Sequence, residues 1–231
     1  MEQAGNIQYL ILAGWFFMAA VIGRSICNVG FIERPLVIGF AWWICTGEYT
    51  PALPLALFFE LFWLDLFHIG GYLPPMGAFP YLVLLALAHW FAWLTPTALA
   101  FPLAVTLPLA YLPPYVESRQ RDYQKNASTK LLQQAQRNGP LGRIPSRWLT
   151  ASVAQQLVLA LLLFSLAIIV LLHGFSLEFM EKKASFIPLD VDWSILYAIA
   201  AVGAVLSLRI LRAYIVFSLC MAALLISKLT S

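Results

Sequence analysis

The stretch RPLVIGFAWWICTGEYTPALPLALFFELFWLDLFHIGGYLPP, residues 34–75, decides the fold class. Its apolar runs at 35–46 and 51–69 are short and closely spaced, whereas a straight membrane-spanning helix needs about 20 mostly apolar residues. Backbone broken in this way is tolerated at membrane depth only where protein or a cavity surrounds it. The stretch therefore predicts broken or re-entrant helices, with ordinary kinked helices as the plainer alternative. Proline and glycine interrupt the runs at Pro51, Pro54, Gly70-Gly71 and Pro74-Pro75.

The composition of the whole chain agrees with a membrane protein. Of its 231 residues, 61% are hydrophobic and 11% are charged, against roughly 25% charged in a typical soluble domain. Too few charges are available to cover a soluble surface, which excludes a cytosolic enzyme, a nucleic-acid-binding domain and a disordered chain. The three cysteines, which lie far apart, indicate neither a metal site nor a disulfide framework. We predict an all-α polytopic membrane protein with one integral membrane domain over residues 1–231.

Outward from the deciding stretch, further apolar runs predict the remaining helices. We interpret residues 7–22 as a retained first helix, because no basic start precedes them and nothing after them resembles a cleavage site. Two more short runs follow at 80–94 and 98–113, and 148–173 is the clearest full-length span. The last two runs, 194–208 and 213–227, flank Arg209 and Arg212; they form either a tilted hairpin or two half-helices. Residues 1–116 thus contain the helices with the site region, 117–147 a polar loop and 148–231 the C-terminal helices.

The charges of the two polar segments predict sidedness. Residues 117–147 contain seven basic and two acidic side chains, so the positive-inside rule places this basic loop in the cytoplasm. Its stretch STKLLQQAQ, residues 128–136, has good helix formers and could be a short helix. The acidic segment 178–192 should then lie outside. The net charge of +3 therefore reflects topology more than a polyanionic partner.

Three ionisable residues within the apolar part carry the functional interpretation, because charge is costly there. Glu60 sits in LALFFELFWL, and Asp65 and His68 follow in WLDLFHIGG. On a helix turning about 100° per residue, Asp65 and His68 lie about 60° apart and Glu60 lies about 80° from His68. One polar wedge could hold them, facing protein or water.

The residues alone leave three uses for this wedge open. The Glu60 carboxylate could accept hydrogen bonds from the hydroxyl groups of a sugar or another polar solute. It could relay protons with His68, or form an ion pair that only fixes helix packing. No basic residue is close to Glu60 in sequence, so a partner must come from elsewhere in the fold. For Asp65 and His68 a structural or interfacial role competes with the functional one, and His89 is interpreted as a hydrogen-bonded core residue.

Several short motifs together resemble the IIC membrane component of the mannose/sorbose-type phosphoenolpyruvate-dependent sugar phosphotransferase system. That family carries RPLVxGxxxGxxxGD, then T-G-x-x-x-G-A-T-x-E-L, then G-x-x-x-P-P-D. The likeness covers residues 1–130 and is thin afterwards; RQRDYQK at 119–125 is similar to the cytoplasmic basic loop of the family. In this chain the motifs are represented, in the same order, by RPLVIG at 34–39, Gly47-Glu48, Glu60-Leu61, Ile69-Gly70 and Pro74-Pro75.

The resemblance implies a multi-pass permease subunit in the inner membrane, with re-entrant helices and an elevator-like motion. Such a subunit binds a hexose or amino sugar and forms an oligomer with a IID membrane subunit. Cytoplasmic IIA and IIB phosphocarriers supply the phosphoryl group, so the phosphoryl chemistry belongs to IIB. No catalytic residue, metal or cofactor is expected on this chain, and no nucleic acid as a partner. The polar wedge and the motif residues together give the candidate substrate-binding residues, which are Gly47, Glu60, Asp65, His68, Pro74 and Pro75.

Departures from the family pattern support an alternative function. Phe58 and Phe59 stand where the family has small residues before the glutamate, Met76 replaces the acid after Pro-Pro, and Trp43 replaces a glycine. Bulky side chains there could shrink a sugar pocket or stack on a sugar ring. The alternative is a diverged, non-transporting scaffold or regulatory subunit. An intramembrane enzyme is disfavoured because no HExxH, GxSxG or paired aspartate motif is present.

Overall fold

The computed structural model describes residues 2–25, 31–63, 74–138, 146–176 and 191–207, and within these ranges the secondary structure is helical. A proline at the first helical position begins α2 and α5, where the missing N–H costs nothing. The helices are α1 Glu2–Ser25, α2 Pro35–Thr46, α3 Ala52–Phe62, α4 Ala78–Trp90, α5 Pro96–Thr106, a 3₁₀ helix Leu107–Tyr111, α6 Leu112–Asn138, α7 Ser146–Ser176 and α8 Trp193–Ser207.

Within the described part of the chain, three segments are long and apolar enough to cross a membrane: Asn6–Arg24, Pro96–Lys125 and Thr150–Ser176. The predicted helical membrane class is confirmed at this level. The helices α2, α3, α4 and α8 are apolar but have only 11 to 15 residues. Such lengths correspond to about 17–22 Å at 1.5 Å per residue, which is less than the roughly 30 Å hydrocarbon core.

The short helix α4 is the centre of the bundle. Every residue from Ala78 to Ala88 is buried, so α4 is covered on all sides. Its Phe79 ring lies 5.1 Å from Phe17 of α1 and 6.2 Å from Phe164 of α7, measured between ring centroids. These contacts tie two of the long helices to the central helix. A helix that is apolar all round is what such a position requires.

The polar contacts between helix ends fall into two groups, which define two ends of the bundle. The Glu60 end carries ion pairs in which Arg24 binds Glu117 and Arg34 binds Glu60. The Glu48 end carries Tyr9, Glu48 and His89. The helix α7 runs from the Glu60 end, where Gln120 donates to the Ser152 carbonyl, to the Glu48 end, where Phe175 packs on Trp93. Since α2 has 12 residues, the two ends are about 18 Å apart along it.

Several sequence predictions need correction or stay outside the described residues. The predicted polar loop 117–147 is wrong for most of its length, because α6 runs as one helix to Asn138. The run 98–113 is longer than predicted, because the 3₁₀ helix connects α5 to α6 within one candidate span, Pro96–Lys125. The run 194–208 corresponds to α8. The run 213–227, with Arg209 and Arg212 before it, lies outside the described residues.

Candidate functional site at the Glu60 end

The Glu60 carboxylate bridges the end of α3 and the start of α2. Its Oε1 accepts a hydrogen bond from Nη1 of Arg34 at 3.1 Å, and its Oε2 accepts one from the Leu36 backbone N–H at 3.4 Å. Arg34 is the N-cap residue of α2 and makes no side-chain cap of its own. Glu60 therefore supplies the negative charge that stabilises the start of α2. The ion-pair partner of Glu60, which the sequence alone did not identify, is Arg34.

This arrangement leaves Glu60 able to bind more than Arg34. The side chains of Arg34 and Glu60 are 29% and 18% exposed, so the pair is reached from one side. A carboxylate has about four acceptor positions, and the two bonds that Glu60 accepts from the described residues use one on each oxygen. An accessible carboxylate with spare acceptor positions, beside a guanidinium, is suited to binding the hydroxyl groups of a polar solute.

Other predicted residues converge on the same end. Pro74 and Pro75 are buried just before Met76, whose N–H donates to the Ala110 carbonyl at 2.9 Å. A Cβ placed on Gly77 would lie 3.1 Å from the Trp63 ring and 3.5 Å from Pro35. The segment after Pro-Pro thus packs against the helix ends that carry Arg34 and Glu60. Three of the motif pieces form one structural unit.

Not every predicted site residue belongs to this unit. Gly47 ends α2 at the opposite end of the bundle, with a left-handed φ of 76° and its N–H donating to the Trp43 carbonyl. That conformation explains a glycine at this position, since other residues adopt it at a cost. Gly47 is therefore placed away from Glu60. Asp65 and His68 lie outside the described residues.

The bulky residues before Glu60 fill the core. Phe58 and Phe59 are fully buried. Phe59 stacks on Trp63 with 5.6 Å between ring centroids, and Phe58 stacks on Phe62 at 6.0 Å. Met76, which replaces the family's acid, is also buried. These buried side chains pack around the end of α3. The polar contacts at this end are made by Glu60 and Arg34.

A second charged cluster at this end was not predicted from the sequence. Arg24 at the end of α1 lies 3.1 Å from Glu33 and 3.3 Å from Glu117, so it joins α1 to the first turns of α6. Arg121, four residues along α6, also binds Glu117. A cavity of about 40 Å³ lies beside Arg24 and Glu117, with Gln120 in its lining, and has room for two or three water molecules.

A third polar cluster lies at the Glu48 end. Glu48 Oε1 accepts a hydrogen bond from the Tyr9 hydroxyl at 2.6 Å, and its Oε2 lies 3.2 Å from Nδ1 of His89. His89 was predicted to be a hydrogen-bonded core residue. Its side chain is 5% exposed, as a core position requires, and its polar contact is the ion-pair approach of Nδ1 to Glu48. Its partner was missed, although an acidic residue between two apolar runs, as Glu48 is, could have been recognised as a candidate.

Comparisons with protein-family models, with curated proteins and with solved structures find no match to this chain.

Proposed function

We propose that this chain is the membrane permease subunit of a phosphotransferase-type sugar transport system, similar to the IIC component. The observation that carries the proposal is the Arg34–Glu60 pair at 3.1 Å, set where two short helices meet and only partly exposed. A carboxylate and a guanidinium side by side offer acceptors and donors to a hexose or amino sugar. Asp65, His68, Pro74 and Pro75 complete the proposed substrate-binding set.

The distribution of arginines supports a cytoplasmic location for the Glu60 end. Besides the basic α6, both Arg24 and Arg34 lie at this end, although neither belongs to the segment from which the sidedness was predicted. By the positive-inside rule, an excess of arginine and lysine marks the cytoplasmic face. The Glu48 end then faces the outside of the inner membrane, and the sugar site lies toward the side where phosphorylation would occur.

The proposed partners follow from the family resemblance. A IID-like membrane subunit would complete the permease in an oligomer within the lipid bilayer, and IIA and IIB proteins would deliver the phosphoryl group. The phosphoryl transfer itself belongs to IIB in this scheme. The long polar helix α6, which continues beyond the apolar helices at the Glu60 end, is the surface on which such cytoplasmic proteins would dock.

The proposal is tested on the complex purified with its IID partner. We expect Glu60→Gln to weaken hexose binding at least tenfold in calorimetry, because a neutral amide loses the charge and one acceptor oxygen. Glu33→Gln is the matched control, since Glu33 also pairs with an arginine at the same end. Equal sugar affinities for wild type, Glu60→Gln and Glu33→Gln would end the site assignment.

Thermal unfolding separates a binding role from a purely structural one. A structural Glu60 would lower the unfolding temperature of Glu60→Gln without a selective loss of sugar affinity. A binding Glu60 would reduce affinity even at temperatures where the variant remains folded. The conservative substitution keeps the shape of the side chain, so the comparison does not depend on creating a cavity.

A non-transporting scaffold or regulatory subunit is the second candidate. The full burial of Phe58 and Phe59 favours it, because side chains that fill the core before Glu60 leave less room for a pocket than the small residues of the family. Sugar uptake driven by phosphoenolpyruvate, measured in vesicles that contain this chain with IIA, IIB and IID proteins, excludes the scaffold. Absence of uptake in vesicles where the same proteins assemble stably favours it over the permease.

A further inference from the structure

We propose that Glu48 and His89 form a proton-binding site at the Glu48 end of the bundle, with Tyr9 and Trp42 as its walls. The site is separate from Glu60, about 18 Å away along α2, and does not rest on the sugar-transport proposal. Its ligand is a single proton, taken by the imidazole of His89 and held by the carboxylate of Glu48.

Three parts of the fold meet at this site. Tyr9 comes from α1, Glu48 from the turn after α2, and His89 from the last turn of α4. The two oxygens of Glu48 are divided between the other two residues, with the Tyr9 hydroxyl at 2.6 Å and Nδ1 of His89 at 3.2 Å. The Glu48 side chain is 41% exposed and the His89 side chain 5% exposed. The carboxylate is therefore accessible from the surface, whereas the imidazole is buried.

The contact with Glu48 fixes the tautomer of His89. A nitrogen that faces a carboxylate carries the proton, so Nδ1 is the N–H donor and the free lone pair of the neutral ring is on Nε2. Nε2 is buried and has no hydrogen-bond partner among the described residues. Buried polar atoms without a partner are rare. The added proton would reside on Nε2, where it meets no acceptor among the described residues. The imidazolium is therefore stabilised through Nδ1 and the Glu48 carboxylate.

Few neighbouring groups determine whether the imidazole of His89 is neutral or protonated. Tyr9 stacks on the imidazole with ring centroids 4.3 Å apart, and Trp42 lies 5.5 Å away at an interplanar angle of 22°. The titratable groups that contact His89 in the described part of the chain are Glu48 and Tyr9, while Trp42 of α2 brings only its ring. Burial opposes the imidazolium, and the adjacent carboxylate and the π-faces favour it.

Proton binding would change how the Glu48 end is held together. With neutral His89, the Glu48 carboxylate faces an uncharged ring at 3.2 Å from Nδ1. With protonated His89, the same contact becomes an ion pair between opposite charges, which is stronger than the contact of the carboxylate with the uncharged ring. The turn between α2 and α3 is then bound more tightly to α1 and α4 at acidic pH than at neutral pH. This provides the end expected to face outside with a response to external pH.

The test is the histidine titration of the full-length protein in detergent micelles, followed by NMR with ¹⁵N-labelled histidine. The chain has only 3 histidines, so the His89→Gln variant assigns the His89 signals. We expect the wild-type His89 ring to titrate in one step, with Nδ1 as the protonated nitrogen at high pH. In Glu48→Gln the midpoint should fall by about one pH unit or more, because an opposite charge at this distance shifts such a midpoint by about 1–3 units.

Tyr9→Phe is the complementary variant. It keeps the stacked ring and removes the hydroxyl that donates to Glu48, so more of the carboxylate charge acts on His89 and the midpoint should rise. Glu33→Gln, a charge change at the other end, should leave the midpoint unchanged. The proposal is overturned if His89 keeps one charge state between about pH 4 and about pH 9, which brackets the ordinary histidine range. It is also overturned if neither Glu48→Gln nor Tyr9→Phe moves the midpoint; the second variant covers a failure of the first to fold.

Discussion

At the scale of single residues, Gly39 sets the distance between α2 and α3. A Cβ on Gly39 would lie 2.7 Å from the Ala56 Cβ and 2.9 Å from the Tyr81 hydroxyl. That hydroxyl is fully buried and donates to the Ala52 carbonyl at 3.2 Å, so it is not free to move aside. The glycine of the RPLVIG motif is therefore a packing requirement of the helix pair. Its presence says nothing by itself about a sugar.

Replacement of Gly39 by alanine tests this packing requirement. We expect Gly39→Ala to lower the free energy of unfolding by about 1–3 kcal/mol, the usual cost of overpacking a well-filled core. The measurement is thermal or denaturant unfolding in detergent. Gly174→Ala is the matched control, because it lies in α7 with nothing within 4 Å of the new Cβ. The control should be neutral or stabilising by about 0.5–1 kcal/mol, and an equal effect of both changes would contradict the close approach.

At the scale of elements, local signals explain which helices the sequence could predict. The predicted run 35–46 coincides with α2, because Pro35 at the first helical position and Gly47 in the left-handed conformation mark its limits. The helix α7 contains the predicted span 148–173 within a long, continuously apolar segment. In contrast, α6 is largely polar, so hydrophobicity gave no signal, and only the helix propensity of residues 128–136 pointed to it.

Cross-linking tests whether α6 is a helix packed against α7. The Gln124 amide donates to the Ser152 hydroxyl. In a background without the native cysteines, we expect Gln124→Cys with Ser152→Cys to form a disulfide under mild oxidation. Tyr123→Cys with Ser152→Cys is the control, since Tyr123 is 68% exposed. A flexible loop in place of α6 would cross-link both pairs to a similar extent.

At the scale of the whole molecule, the pairings between distant residues were beyond the sequence. Arg34 and Glu60 are 26 positions apart, and Glu48 and His89 come from different parts of the bundle. Which charged groups meet depends on how the short helices turn back on each other, and hydrophobic periodicity does not encode this. Composition predicted the membrane class, and the ion pairs required the three-dimensional structure. The same holds for Arg24, whose contact with Glu117 joins the first and second long apolar segments.

The sidedness of the two ends is a prediction about the whole molecule. In a background without the native cysteines, we expect Leu94→Cys to react with a membrane-impermeant maleimide added to the outside of the membrane that holds the protein. Leu94 is 54% exposed and belongs to the Glu48 end, beside Trp93. Tyr123→Cys on α6 should react only after this membrane is permeabilised. The reverse pattern would invert the topology and place the proton-binding site in the cytoplasm.

Because α6 is long, a small tilt of this helix displaces its two ends by very different distances. Its 27 residues extend about 40 Å from the 3₁₀ helix, while Glu117 lies only about 8 Å from that starting point. A tilt of about 5° about the 3₁₀ helix displaces the far end by roughly 3 Å and moves Glu117 by less than about 1 Å. A partner protein that displaces the far end of α6 would therefore move the Glu117–Arg24 contact by only about one fifth as much. The contact of Glu117 with Arg24 is the point at which such a displacement would reach the end of α1.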